Sequence, residues 1–314
     1  MKIDEETGGA VPYYHGQELL EMIPGAGDLA EIEIYNFGNY PGPHMTPEIM
    51  FELSRTIKKE INADYDGIIV THGTDTLEET AYLLDLTVRT EKPIVVIGAM
   101  KTSSESDWDG PRNLLDAMHI INNRNSKGMG VLVSLNGEIN AASEVTKTDT
   151  EDVETFRSLD FGALGFVERG EVIFNRIPRK LEVVDTDRID PNVDILKVYA
   201  GMTDKLFRLS AESRISGMVV EALGVGNVPP KVYEGLKYAL DRNIPVVLVS
   251  RCPSGETLDK YSYPGAGKWL KSAGVIFADY LNGQKARVKL MLVLGKTRDD
   301  KIIREYFEGS RGDL

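Results

Sequence analysis

The stretch Tyr65-Asp66-Gly67-Ile68-Ile69-Val70-Thr71-His72-Gly73-Thr74-Asp75-Thr76-Leu77-Glu78-Glu79-Thr80-Ala81 decides how this chain is read. A short apolar, β-branched run ends in a cluster of hydroxyls and one carboxylate. An amphipathic helical pattern then begins at Leu77. Residues Leu77, Ala81, Leu84 and Val88 recur at helical spacing and are expected to face a sheet. In open α/β sheets, ligands bind outside the carboxyl ends of strands. Residues 71–76 therefore read as a polar small-molecule site. Asp75 has two readings at this point. It is a helix N-cap, or a ligand-binding carboxylate at the positive end of the helix. Thr76 with Glu79 has capping-box spacing, and Asp75 with Glu78 offers the alternative box.

The same alternation continues outward. Apolar β-rich runs fall at residues 30–35, 68–70, 93–97, 130–135, 193–199, 217–220, 245–250 and 274–277. Helical periodicity falls at 46–61, 77–88, 112–122, 232–241 and 285–294. Strands alternating with helices predict βα units on a largely parallel sheet, an α/β fold. Residues 178–192 are charged and lack an apolar pattern, so they read as a linker. It separates a larger N-terminal domain, 1–177, from a smaller C-terminal domain, 193–314.

Composition narrows the function classes. The chain has 314 residues, 42% hydrophobic and 27% charged, with a formal net charge of −13. These are the proportions of a globular protein long enough for two cores. The acidity and the absence of a basic cluster argue against nucleic acid and anionic lipid as partners. No apolar run is long enough to span a membrane. The single cysteine, Cys252, excludes an intrachain disulfide, and the first residues lack a signal-peptide core. A cytoplasmic location is expected.

Threonine acts as a nucleophile only when a base activates it, and a desolvated lysine amine is one such base. Lys147, in Val145-Thr146-Lys147-Thr148-Asp149-Thr150, is the candidate; its other reading is an exposed lysine on a strand edge. The histidines, His15, His44, His72 and His119, show no metal-ligand spacing. His72 is either catalytic or a filler of a polar slot in the turn. No Gly-x-Ser-x-Gly elbow supports a serine triad. Leu223-Gly224-Val225-Gly226-Asn227 lacks the third glycine of a dinucleotide fingerprint. It reads as a tight βα turn, with Asn227 at a left-handed position.

Several motifs then agree. Thr71-His72-Gly73-Thr74-Asp75-Thr76, Lys92-Pro93-Ile94-Val95-Val96-Ile97-Gly98-Ala99-Met100, Asp109-Gly110-Pro111 with Asn113-Leu114, Val145-Thr146-Lys147-Thr148 and Asn282-Gly283-Gln284-Lys285-Ala286-Arg287 together resemble the bacterial-type L-asparaginases, over residues 8–295. The resemblance implies a two-domain fold. A larger N-terminal mixed sheet with flanking helices would be followed by a smaller parallel-sheet α/β domain. It implies hydrolysis of L-asparagine to L-aspartate and ammonia through a threonine-based acyl-enzyme, with no metal or organic cofactor. Carried over by position, Thr74 is the second catalytic threonine and Lys147 moves protons behind it. Asp75 takes the substrate's α-ammonium. Ala99 supplies a backbone contact near the scissile amide, and Asn227 reaches a neighbouring subunit's site. A homodimer or homotetramer is implied.

The departures are equally specific. The family opens with an apolar strand ending in Thr-Gly-Gly-Thr-Ile-Ala, whose second threonine is the nucleophile. Here Thr7-Gly8-Gly9-Ala10-Val11 would put Ala10 at that position, and no apolar strand precedes it. That match reads as accidental. The better register takes residues 1–12 as the active-site loop, so the nucleophile strand is expected upstream of Met1, with the start codon assigned too late. Gly42 stands where the family often has a serine for the substrate α-carboxylate, leaving backbone amides or His44 to serve. The family's loop tyrosine has no clear counterpart, Ala10 lying near its place and Tyr13 or Tyr14 being able to substitute. Glutamine is a further possible substrate. Two other readings stand beside the asparaginase: an amidase subunit of a tRNA-dependent amidotransferase, whose relatives carry an extra N-terminal domain, and a non-catalytic amino-acid-binding or regulatory protein.

Overall fold

The computed structural model describes residues 1–23, 25–179 and 181–308, and it divides into two units, Met1–Val183 and a second beginning at Val184. The first unit contains β1 (Lys2–Ile3), β2 (Ala10–Val11), α1 (Gly16–Glu21), α2 (Ala26–Leu29), α3 (Pro47–Glu60), β3 (Ile68–Thr71), α4 (Leu77–Thr87), β4 (Ile94–Ile97), α5 (Gly110–Asn122), β5 (Val131–Leu135), β6 (Glu138–Ala141), β7 (Thr146–Lys147), β8 (Phe156–Arg157), β9 (Gly165–Glu168) and β10 (Glu171–Phe174). Its main sheet has the order β10-β9-β6-β5-β4-β3. Strands β3, β4 and β5 run parallel, whereas β5-β6, β6-β9 and β9-β10 are antiparallel. The sheet is mixed, as the resemblance implies.

The parallel half explains its own sequence. Ile94 and Val96 of β4, with Val131 and Val133 of β5, pack on Leu53 and Ile57 of α3 and on Leu77, Ala81 and Leu84 of α4. Val95 and Ile97 face the other way, onto Ala117 and Ile120 of α5. A sheet covered on both faces needs continuous apolar strands rather than alternating ones. β3 lies at the sheet edge, and its Ile68, Ile69 and Val70 are only half-buried. Helix α3 begins where its composition says it should. Thr46 is the N-cap, its hydroxyl accepting from the Ile49 amide at 3.3 Å, and Pro47 follows at a position that needs no N–H.

One expectation is corrected here. Residues 30–35 form no strand; they run without ladder partners, with Tyr35 exposed and Ile32 packed beside Met118 of α5. Their alternation reflects one-sided packing, with Ile32 and Ile34 part-buried and Glu31, Glu33 and Tyr35 exposed. Residues Thr7 to Ala10 sit in an exposed hairpin, where Asp4 accepts from Thr7 and Gly8 adopts a φ of 68°. Their likeness to a nucleophile strand is coincidental in structure as well.

The second unit contains β11 (Val193–Lys197), α6 (Lys205–Glu212), β12 (Gly217–Ala222), α7 (Pro230–Leu240), β13 (Val246–Ser250), α8 (Gly267–Ala273), β14 (Ile276–Phe277), α9 (Gly283–Lys296) and α10 (Asp300–Glu308). Strands β11-β12-β13-β14 are all parallel and lie in sequence order. Phe207 of α6 and Val232 and Leu236 of α7 cover one side, packed on Met218, Val220, Val246 and Leu248. Helix α9 packs on β11 and β12. Among the described residues no helix is long and apolar enough to cross a membrane.

At Gly217, α9 packs close to the sheet. A Cβ there would lie 2.9 Å from both Leu290 Cδ2 and Leu294 Cδ1. Gly217→Val is expected to lower stability by about 1 to 3 kcal/mol through overpacking, read as a lower urea midpoint. An unchanged midpoint would mean that α9 withdraws at no cost.

Candidate active site

The end of β3 turns sharply because two backbones touch. The His72 amide donates to Ile97 O at 2.9 Å, carrying the ladder one residue past the strand. Gly73 then passes over Gly42: a Cβ on Gly73 would lie 3.0 Å from the Gly42 nitrogen. The Thr76 hydroxyl fixes this approach by donating to Gly42 O at 2.8 Å. That bond overturns the capping-box expectation. Thr76 occupies the N-cap position of α4, but its side chain makes no cap hydrogen bond. The tertiary contact with Gly42 has taken the hydroxyl.

Asp75 is thereby released from helix capping. Its Oδ1 accepts from Lys147 Nζ at 3.3 Å, and the same ammonium lies 3.0 Å from Thr74 Oγ1. The Asp75 side chain is 59% exposed, while that of Lys147 is 17% exposed. A carboxylate open to solvent with a shielded cation behind it suits a charged ligand arriving from the open side. The strand-edge reading of Lys147 fails, because its side chain turns inward to the end of β3. Its hairpin, β7 with β8, is short but tied locally. Thr155 Oγ1 accepts from the Thr148 and Asp149 amides at 3.1 and 2.6 Å, and Phe156 is buried beside Leu77 and Ala81.

His72 has both ring nitrogens engaged, Nδ1 with Gly73 O at 2.7 Å and Nε2 with the Thr80 hydroxyl at 2.9 Å. A neutral ring donating from Nδ1 and accepting at Nε2 satisfies both. Desolvation holds its pKa below the usual value of 6.5, opposed in part by the bond to Gly73. This is the polar slot in the turn, with no nitrogen left for proton transfer to a ligand.

The segment after β4 is held by residues the sequence reading did not single out for a role. The Asp109 carboxylate accepts from the Met100 and Lys101 amides, each at 3.0 Å. The buried Asn113 amide donates to Gly98 O at 2.9 Å and to Asp109 Oδ2 at 3.0 Å, while its oxygen accepts from Asn136 N at 3.0 Å. Asp109 and Asn113 stand four apart at the start of α5, and that spacing was the available signal. Ala99 lies inside this braced loop. A Cβ on Gly98 would meet Thr74 Cγ2 at 3.0 Å, so the loop touches the Thr74 turn directly.

Gly42 is buried against the carboxylate: a Cβ there would lie 3.1 Å from Asp75 Cβ. His44 is exposed. Tyr14 stacks on Trp108 at 6.1 Å, and Tyr13 meets Tyr14 edge-on at 4.9 Å. The structure therefore brings Thr74, Asp75, Lys147 and Gly42 together, with Ala99 on the adjoining loop. Asn227 belongs to the second unit. It closes the tight turn that follows β12, exchanging backbone bonds with Leu223, and its side-chain oxygen is buried without a partner. The left-handed residues of that turn are Gly224 and Gly226 and not Asn227, so the expected asparagine position is corrected. Among the described residues no group of three or more His, Cys, Asp or Glu side chains is placed to hold a metal ion.

Fold and site define an α/β protein of two units with a hydroxyl, an ammonium and a carboxylate at a strand end. Residues 1–180 match the family model described as asparaginase, N-terminal, and residues 192–307 match the glutaminase/asparaginase C-terminal domain. The chain belongs to the asparaginase family. It is 36% identical to the probable periplasmic L-asparaginase of Haemophilus influenzae, over 92% of this chain and 83% of that protein. It is 38% identical to the probable L-asparaginase of Deinococcus radiodurans, over 96% of this chain and 95% of that one. The crystal structure of a probable cytoplasmic L-asparaginase from Campylobacter jejuni superposes with a TM-score of 0.86 at 36% identity, covering 93% of each chain.

Two outcomes are expected. Gly42→Val places a branched side chain against Asp75, so stability should fall by about 1 to 3 kcal/mol through overpacking. A urea midpoint measures this, and an unchanged midpoint would show that the contact relaxes freely. The second concerns acid. The folded His72 resists protonation, so the unfolded state binds the extra proton as pH falls below 6.5. The stability that His72 contributes is present above that pH and is lost on acidification towards its depressed folded value. The melting-temperature gap between the native chain and His72→Gln should narrow from pH 7.5 to about 5. A constant gap would refute the assignment.

Proposed function

We propose that this protein hydrolyses L-asparagine to L-aspartate and ammonia through an acyl-enzyme. The observation that carries the reading is the placement of Lys147 Nζ within hydrogen-bonding distance of both Thr74 and Asp75. The similarity to proteins named L-asparaginase supports it. Asp75 receives the substrate's α-ammonium from the solvent side, and the backbone at Gly42 and Ala99 borders the bound ligand. An attacking hydroxyl adds to the carboxamide carbon. The Lys147 ammonium gives a proton to the departing nitrogen, which leaves as ammonia, and takes one back from the Thr74 hydroxyl, which in turn receives the proton of the attacking hydroxyl. Water, deprotonated by the same relay, cleaves the ester and restores the hydroxyl. We read the attacking hydroxyl as that of a second threonine.

The reading includes a homodimer or homotetramer, with Asn227 and its unpaired side-chain oxygen at a neighbour's site. It includes a cytoplasmic location, supported by the single Cys252 and by the name of the Campylobacter relative, although the Haemophilus relative is named periplasmic.

Ammonia release from L-asparagine, measured for the 314-residue chain and for a form extended by the in-frame upstream codons, tests the proposal. Lys147→Met should lower kcat by about 10²- to 10⁴-fold with KM little changed, as loss of a general base does. Asp75→Asn should chiefly raise KM. L-Aspartate binding without turnover by either form would overturn the enzyme reading in favour of an amino-acid-binding protein.

A further inference from the structure

We infer that Glu78 is a positioning residue that sets the reach of Lys147; the inference rests on the asparaginase reading of the same site. Glu78 lies in the first turn of α4 and is only 6% exposed. Its Oε1 accepts from the Thr146 hydroxyl at 3.1 Å and from the Lys147 amide at 3.4 Å. A carboxylate is rarely buried without strong partners, and here the partners belong to the strand that carries the lysine. Thr74 and Asp75 sit immediately before the same helix. One rigid element thus holds both the groups that Lys147 Nζ meets and the clamp on its main chain.

The consequence is geometric. β7 is a strand of two residues, and its ladder partner β8 is equally short. Its pairs, Thr146 with Arg157 and Lys147 with Phe156, fix the hairpin to itself but not to α4. Among the described hydrogen bonds, those to Glu78 and those from Nζ are what join β7 to α4 and the turn before it. Val145 and Phe156 anchor the hairpin in the core beside Leu77 and Ala81, while Glu78 fixes Thr146 and the Lys147 amide themselves. Proton transfer between Thr74 and Lys147 depends on their separation, and a misplacement of about 1 Å can cost about 100-fold in rate.

The test compares Glu78→Ala and Glu78→Gln in the full chain, with L-asparagine turnover, L-aspartate binding and the rate of acetylation of Lys147 at fixed pH. Gln retains an oxygen acceptor for both donors and removes the charge. Glu78→Ala should lower kcat by about 10- to 100-fold, leave KM and L-aspartate affinity within about twofold, and speed acetylation of Lys147 as the strand loosens. Glu78→Gln should restore most of the rate and the slow acetylation. Equal losses in both variants, or a fall in affinity matching the fall in kcat, would overturn the clamp. Acetylation needs no turnover. If the unmodified enzyme is inert, the asparaginase reading fails while the labelling rates still decide whether Glu78 holds Lys147.

Discussion

The contact between the Lys147 ammonium and the Thr74 hydroxyl is the constraint around which the first unit is arranged. It joins residues 73 positions apart. To bring them together, β3 must stop at Thr71, the chain must turn tightly over Gly42, and a two-residue strand must lie against the first turn of α4. Each requirement has its own local device: the Thr76–Gly42 bond, the closeness of Gly73 to Gly42, and the Glu78 carboxylate. A surface ion pair such as Lys147–Asp75 contributes little stability with one partner 59% exposed. Its value lies in presenting charge to a ligand.

The loop after β4 completes the enclosure by a different means. Asp109 and Asn113 hold it through main-chain amides and a carbonyl, so its shape does not depend on the side chains of Ala99 or Met100. A braced backbone beside Thr74 suits a site that must hold polar groups in place. Such preorganised dipoles need no rearrangement during reaction.

Much of this was legible in the sequence, and the remainder was not for identifiable reasons. The parallel strands announced themselves because both faces are covered, so β4, β5, β12 and β13 are largely apolar, interrupted only by Ser134, Glu221 and the terminal Ser250. The antiparallel β6, β9 and β10 were not foreseen. They are four residues long, and Glu138, Glu168 and Glu171 break the pattern. Helices α6, α8 and α10 were not singled out; α6 and α10 are amphipathic, with Phe207 and Ala211 buried on one and Ile303 and Phe307 on the other, but span only about two turns each. At the site, Thr74, Asp75 and Lys147 were found from motif and resemblance. The clamp residue Glu78 was visible only as a possible cap, because nothing local says that residue 78 will face residue 147. The same blindness produced the capping box: Thr76 has the spacing, but a carbonyl from residue 42 claims its hydroxyl.

The brevity of the hairpin β7–β8 has a consequence for how the molecule fails. Regions with few main-chain bonds open locally at free energies well below that of global unfolding. The relay lysine is mounted on such a region, while its threonine and aspartate are mounted beside a deeply buried helix. Local opening there would part the Lys147 ammonium from Thr74 and Asp75 while the main sheet stayed folded.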